Sequence, residues 1–190
     1  MSNTLFKKFS NFQHTCRRGY PAYILHNAPF KSVTKKENGK TFIPFIGEGY
    51  YFWEQDLDNA KRWGEKKYGT TGYSILEVEN WDINNEYFID LINKNHLEFF
   101  KKLQKPYIEA NEKAKNYSLG VWIELFKKAD VFPFKLIRSE EHFSSDKLKR
   151  EGIDQELIKY STEGYYTYLN PVYILCCIDK SIIPDRKTVL

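Results

Sequence analysis

The sequence predicts an α+β fold: a mixed or antiparallel sheet with a helical segment inserted between its strands. Three observations lead there. Short apolar or alternating runs bounded by glycine and proline recur at residues 19–26, 72–78, 131–137 and 172–178. Helical periodicity is concentrated between residues 83 and 130. The strand-like runs are not separated by the regular helical crossovers that a doubly wound parallel sheet needs.

Taken in order, residues 1–19 are polar and basic, and Phe6, Phe9 and Phe12 recur at helical spacing, which predicts a short lead-in helix. Residues 19–26 read as a strand ending at His26. A loop with the turn signal Asn38-Gly39 follows. Residues 46–63, I-G-E-G-Y-Y-F-W-E-Q-D-L-D-N-A-K-R-W, combine Gly47 and Gly49 with an aromatic strand. Asp56 then caps a helix carrying Leu57, Ala60 and Trp63, which ends near Gly69. Residues 72–78 alternate as a half-buried strand.

Within the helical insert, residues 83–130, Leu97, Phe100 and Leu103 share one face until Pro106 breaks the run. Leu119, Trp122, Ile123 and Phe126 form a second stripe. Residues 131–137 return to strand character, and Pro133 pushes them toward a sheet edge. Residues 146–160 are polar and weakly periodic, and residues 163–168 form an aromatic loop. Residues 172–178, V-Y-I-L-C-C-I, are the clearest buried strand, and residues 181–190 close the chain with one more short strand.

One domain, residues 1–190, suits this length. The net charge of +4 permits an acidic partner without demanding one. Three cysteines without disulfide or zinc spacing, no apolar leader and no membrane-length run predict a cytoplasmic protein without a metal site and without membrane contact.

His26, the motif Gly47-Glu48-Gly49-Tyr50-Tyr51-Phe52, Ala60 and the late strand with Tyr173 resemble the ADP-ribosyltransferase superfamily, on the branch of the diphtheria-toxin and poly(ADP-ribose) polymerase catalytic domains. The resemblance covers the front third of the chain and the final strand. It implies a split sheet, NAD as substrate and no metal. Tyr51 would stack on nicotinamide, with Gly49, Ala60 and Trp63 around it. His26 would bond a ribose hydroxyl, and the Asn27 backbone would hold the carboxamide. Tyr173 stands where members carry a Glu, so chain elongation is not expected. Glu163 would supply the missing carboxylate from the preceding loop, whereas Glu140 and Glu141 have no motif support. His14, His96 and His142 share no ligand spacing and read as surface or core residues.

The expected function is mono-ADP-ribosylation of an intracellular macromolecule, nucleic acid or protein, by a microbial toxin or defence effector with a neutralising antitoxin. The alternatives are an NAD glycohydrolase and an inactive module that binds NAD or ADP-ribose.

Overall fold

A computed structural model of the chain describes residues 7–8, 11–141, 157–159, 166–168 and 171–190. In chain order the elements are β1 (Lys7–Lys8), β2 (Phe12–Arg17), α1 (Pro21–Asn27), β3 (Lys35–Glu37), β4 (Lys40–Phe42), β5 (Tyr50–Glu54), α2 (Leu57–Tyr68), β6 (Tyr73–Val78), β7 (Asp82–Ile83), β8 (Phe88–Asp90), α3 (Lys94–Ala110), α4 (Leu119–Lys128), β9 (Leu136–Glu140), β10 (Leu157–Lys159), β11 (Tyr166–Tyr168), β12 (Tyr173–Cys177) and β13 (Lys187–Val189). The class is α+β. A seven-stranded sheet runs β13-β6-β2-β5-β12-β9-β8, antiparallel throughout except for the parallel pair β8 and β9.

Side-chain alternation divides the core between the two faces of this sheet. Phe12, Phe52, Leu136, Leu175 and Cys177 join one apolar cluster with Ile24 and Ala28. Ile137, Ile174 and Cys176 face the other way and pack with Phe100, Trp122, Ile123 and Phe126 of the insert. The second predicted stripe, together with Phe100 and Leu103 of the first, therefore covers one face of the sheet, whereas Leu97 is exposed.

Several expectations are corrected. The lead-in helix over residues 1–19 is replaced, within the described residues, by β1 and β2; Phe6 and Phe9 lie outside them. Strand β2 buries Phe12, Gln13, His14, Thr15 and Cys16 together. Its polar members are tied down inside the fold: Gln13 donates to Glu77 at 2.7 Å and Thr15 donates to the Ala60 carbonyl at 2.8 Å. Residues 19–26 are mostly helix α1, not strand. Pro21 is pre-set for the first helical turn, and Ile24 and Ala28, four apart, are the buried pair. Pro106 lies inside α3 rather than ending it; both it and Lys102, whose carbonyl loses a partner, are exposed to water. Strand β9 begins after Pro133 and lies between β12 and β8, not at an edge. The insert also contains the edge strand β8.

The motif stretch follows its expectation. Tyr50–Glu54 is a strand, the Asp56 side chain accepts from the Asn59 amide at 2.9 Å, and the helix stops at Gly69, which has φ +41°. Strand β12 is central, between β5 and β9.

Candidate functional site

The ladder between β2 and β5 is short. Only Phe12↔Glu54 and Gln13↔Trp53 pair, although β2 stays paired with β6 as far as Arg17. Beyond Gln13 the sheet opens, and the His14 ring occupies the split. Its Nδ1–H donates to the Tyr51 carbonyl at 2.8 Å, and its Nε2 accepts the Phe30 amide at 3.1 Å. These two partners fix the neutral tautomer. Burial, with Lys180 adding to it, holds the imidazole pKa down at about 4.

A cleft of about 260 Å³ lies at this split. It is lined by His14 and Thr15 of β2, Pro44 and Phe45 of the loop before β5, Tyr51 and Trp53 of β5, Trp63 of α2, Ile174 of β12 and Glu141 just past β9. Tyr51 lines the cleft while its hydroxyl is committed. That hydroxyl accepts from the Ile46 amide and donates to the Gly47 carbonyl, each at 2.7 Å. Burial pushes the phenol pKa far above its ordinary value. One carboxylate oxygen of Glu141 is fully buried.

The cleft opens into a wider basin of about 710 Å³, which shares His14, Thr15, Ser32, Pro44 and Trp63 with it. Arg17, Arg18, Lys31, Lys35 and Lys67 line the basin, with Tyr23, Phe30, Phe42 and Tyr68 among them. Among the described residues no carboxylate lines it. Lys31 also stands 3.7 Å from Glu48. The basin is therefore a concentrated positive field with exposed aromatic surfaces, suited to a phosphate-bearing ligand with a flat ring.

The sequence-predicted residues divide sharply. Tyr51 and Trp63 line the cleft. His26 does not: it is exposed on α1, because the segment that was read as a strand is a helix. Asn27 ends that helix, where its carbonyl accepts from Lys180 at 2.7 Å, and it lines neither cavity. Gly49 is needed for a close approach, but to β12 rather than to a ligand. A Cβ there would lie 2.5 Å from Cys176 Sγ and 2.7 Å from the Cys177 carbonyl. Ala60 is fully buried beneath Thr15 and brings α2 close to β2.

Tyr173 is excluded from the cleft by strand parity. Its neighbour Ile174 faces the cleft, and Tyr173 faces the opposite side of the sheet. There the Arg138 guanidinium lies 4.1 Å from its ring centroid. Arg138 in turn bonds Glu54 at 2.5 Å and Asp90 at 3.3 Å. Glu163 lies outside the described residues. Cys176 and Cys177 are buried, and desolvation pushes the Cys176 thiol pKa up to about 12.

Sequence reasoning missed His14 and Glu141. The signal for His14 was the i, i+2, i+4 series Phe12, His14, Cys16, with Thr15 directly after the histidine. For Glu141 the only signal was its position after a strand that the sequence placed too early.

Among the described residues, no group of three or more His, Cys, Asp or Glu side chains is gathered as a metal site requires, and no helix is long and apolar enough to cross a membrane. Neither a protein-family model, nor a curated protein, nor a solved structure matches the chain.

Proposed function

We propose that the protein is a mono-ADP-ribosyltransferase that takes ADP-ribose from NAD and transfers it to an intracellular macromolecule. One observation carries the reading: His14, Tyr51, Trp63 and Glu141 meet in a cleft that opens into a cationic basin with no lining carboxylate among the described residues. The resemblance of the Gly47–Phe52 motif to ADP-ribosyltransferases supports it from the sequence side. The finer fold assignment, an ADP-ribosyltransferase-like split sheet, belongs to the same proposal and draws support from the opening between β2 and β5.

The roles shift from those expected of the sequence. His14 replaces His26, and Glu141 replaces Tyr173 and Glu163 as the carboxylate. Nicotinamide lies against Tyr51 and Trp63, and the diphosphate half of NAD occupies the basin, since the cleft alone is below the size that usual small-molecule sites reach, about 300 Å³ or more. In the reaction the bond between ribose C1′ and the nicotinamide nitrogen breaks. Its electron pair leaves with nicotinamide, and the ribose becomes oxocarbenium-like. The Glu141 carboxylate stabilises that positive charge. An oxygen or nitrogen nucleophile of the acceptor then bonds to C1′ and releases its proton.

A second reading, a module that binds NAD or ADP-ribose without turnover, is favoured by the commitment of both His14 ring nitrogens. Binding a ribose hydroxyl through Nε2 requires the Phe30 amide to give way.

The test is incubation with NAD labelled in the adenosine half, in a cell lysate, with nuclease- and protease-treated aliquots. Transfer predicts label on one macromolecular class, and the digestion that removes it names the class. Free ADP-ribose alone indicates NAD glycohydrolysis. No nicotinamide release, with ADP-ribose still bound, leaves the binding module.

A further inference from the structure

The helical insert reaches the cleft through the loop at residues 44–49. The backbone hydrogen bonds of this loop reach partners in several directions. The Gly47 amide donates to the Pro44 carbonyl at 2.9 Å. The Tyr51 hydroxyl serves the Ile46 amide and the Gly47 carbonyl. Gly49 exchanges two bonds with Ser32, at 2.8 and 3.1 Å. Glu48 is held by α4: its amide donates to Glu124 Oε1 at 2.6 Å, and its carbonyl accepts from Lys127 Nζ at 3.3 Å. Glu124 and Lys127 are themselves paired at 2.7 Å.

Close packing reinforces these bonds. A Cβ on Gly120, in the first turn of α4, would lie 2.1 Å from the Pro44 carbonyl oxygen. A Cβ on Gly47, where φ is +83°, would lie 2.6 Å from Glu124 Oε1. No side chain fits between helix and loop at either point. Pro44 and Phe45 of this loop form a wall of the cleft, and its backbone anchors Tyr51.

The geometry points to Glu124 and Lys127 as positioning residues: the helical insert holds the 44–49 wall and the Tyr51 ring in place for the ligand of the cleft. Neither residue lines the cleft or the basin. They act through the Glu48 backbone, so their influence falls first on the Pro44–Phe45 wall and on Tyr51, at the nicotinamide end. The inference rests on the proposed NAD reading for the identity of that ligand.

The experiment uses the full chain and the variants Glu124→Ala, Glu124→Gln and Lys127→Met. It reads amide exchange at Glu48, nicotinamide affinity and ADP-ribose affinity, with thermal unfolding as the check on folding. Glu124→Ala is expected to speed Glu48 exchange and to weaken nicotinamide binding by about tenfold each, as loss of a charge-assisted bond implies. ADP-ribose affinity stays within about twofold. Glu124→Gln, which keeps an acceptor oxygen, recovers most of the loss, and Lys127→Met falls between. Unchanged Glu48 exchange in folded Glu124→Ala overturns the proposal. So does a parallel loss of nicotinamide and ADP-ribose affinity, which marks a general structural role. A wild-type protein that binds both ligands but releases no nicotinamide from NAD overturns the enzymatic reading instead, and the two affinities still decide the positioning.

Discussion

The Nδ1–H of His14 donates to the carbonyl oxygen of Tyr51 at 2.8 Å, across the point where the backbone ladder between their strands has ended. A side chain thus takes over a bond that the neighbouring main chain no longer makes. The same side chain lines the cleft, so fold and site meet in one imidazole.

This arrangement makes stability pH-dependent. The folded protein holds the His14 pKa near 4 against an ordinary 6.5, so the unfolded chain binds the extra proton. The stabilisation is fully present above pH 6.5 and is lost as the pH falls toward 4. Its size is about 3 kcal/mol. Urea denaturation at pH 7 and pH 4.5 should show this loss in the wild type and a much smaller one in His14→Asn, which has no titrating ring. Equal pH dependence in the two proteins contradicts the assignment.

Arg138 is a buried cation between Glu54 and Asp90, with Tyr173 over its guanidinium plane. Arg138→Met removes the cation that two largely buried carboxylates share. The expected destabilisation is about 3–5 kcal/mol, read as a lower denaturation midpoint. Tyr173→Phe keeps the ring over the cation and should leave nicotinamide release unchanged, because Tyr173 lies on the face away from the cleft.

The basin is a field of several cations rather than one contact. Lys35→Glu and Lys67→Glu should each weaken ADP-ribose binding by about tenfold, with less salt dependence in the variants than in the wild type. Titration calorimetry at two ionic strengths checks this. Neither variant should alter nicotinamide affinity.

Gly49→Ala tests the reason for that glycine. The added methyl meets the Cys176 sulfur and the Cys177 backbone of β12, so the expected effect is a loss of about 1–3 kcal/mol in stability. A variant of wild-type stability that has lost only ligand affinity would show that the glycine serves the ligand.

The legible parts of the sequence were those in which local chemistry and tertiary role agree. Asp56 and Gly69 bound a helix by capping and backbone preference alone, and residues 172–178 are apolar because β12 is covered on both faces. Strand β2 was illegible because Gln13, His14 and Thr15 are polar residues buried with partners far away in the chain, such as Glu77 and Ala60. Helix α1 was misread because seven residues carry too little periodicity to separate Ile24 and Ala28 at helical spacing from a strand. Tyr173 was misplaced by parity. The sequence puts it on the late strand, but only pairing and twist decide that Ile174, and not Tyr173, faces the cleft.

The central claim is that Glu141, in the cleft with His14 and Tyr51, carries the chemistry on NAD. The most direct measurement is nicotinamide release from NAD by the wild type, Glu141→Gln and His26→Ala, with ADP-ribose affinity measured on the same samples. The account predicts release by the wild type and by His26→Ala. It predicts a fall of about 10²–10³-fold in Glu141→Gln, with ADP-ribose affinity retained. Undiminished release by Glu141→Gln, or loss of release in His26→Ala, would contradict it.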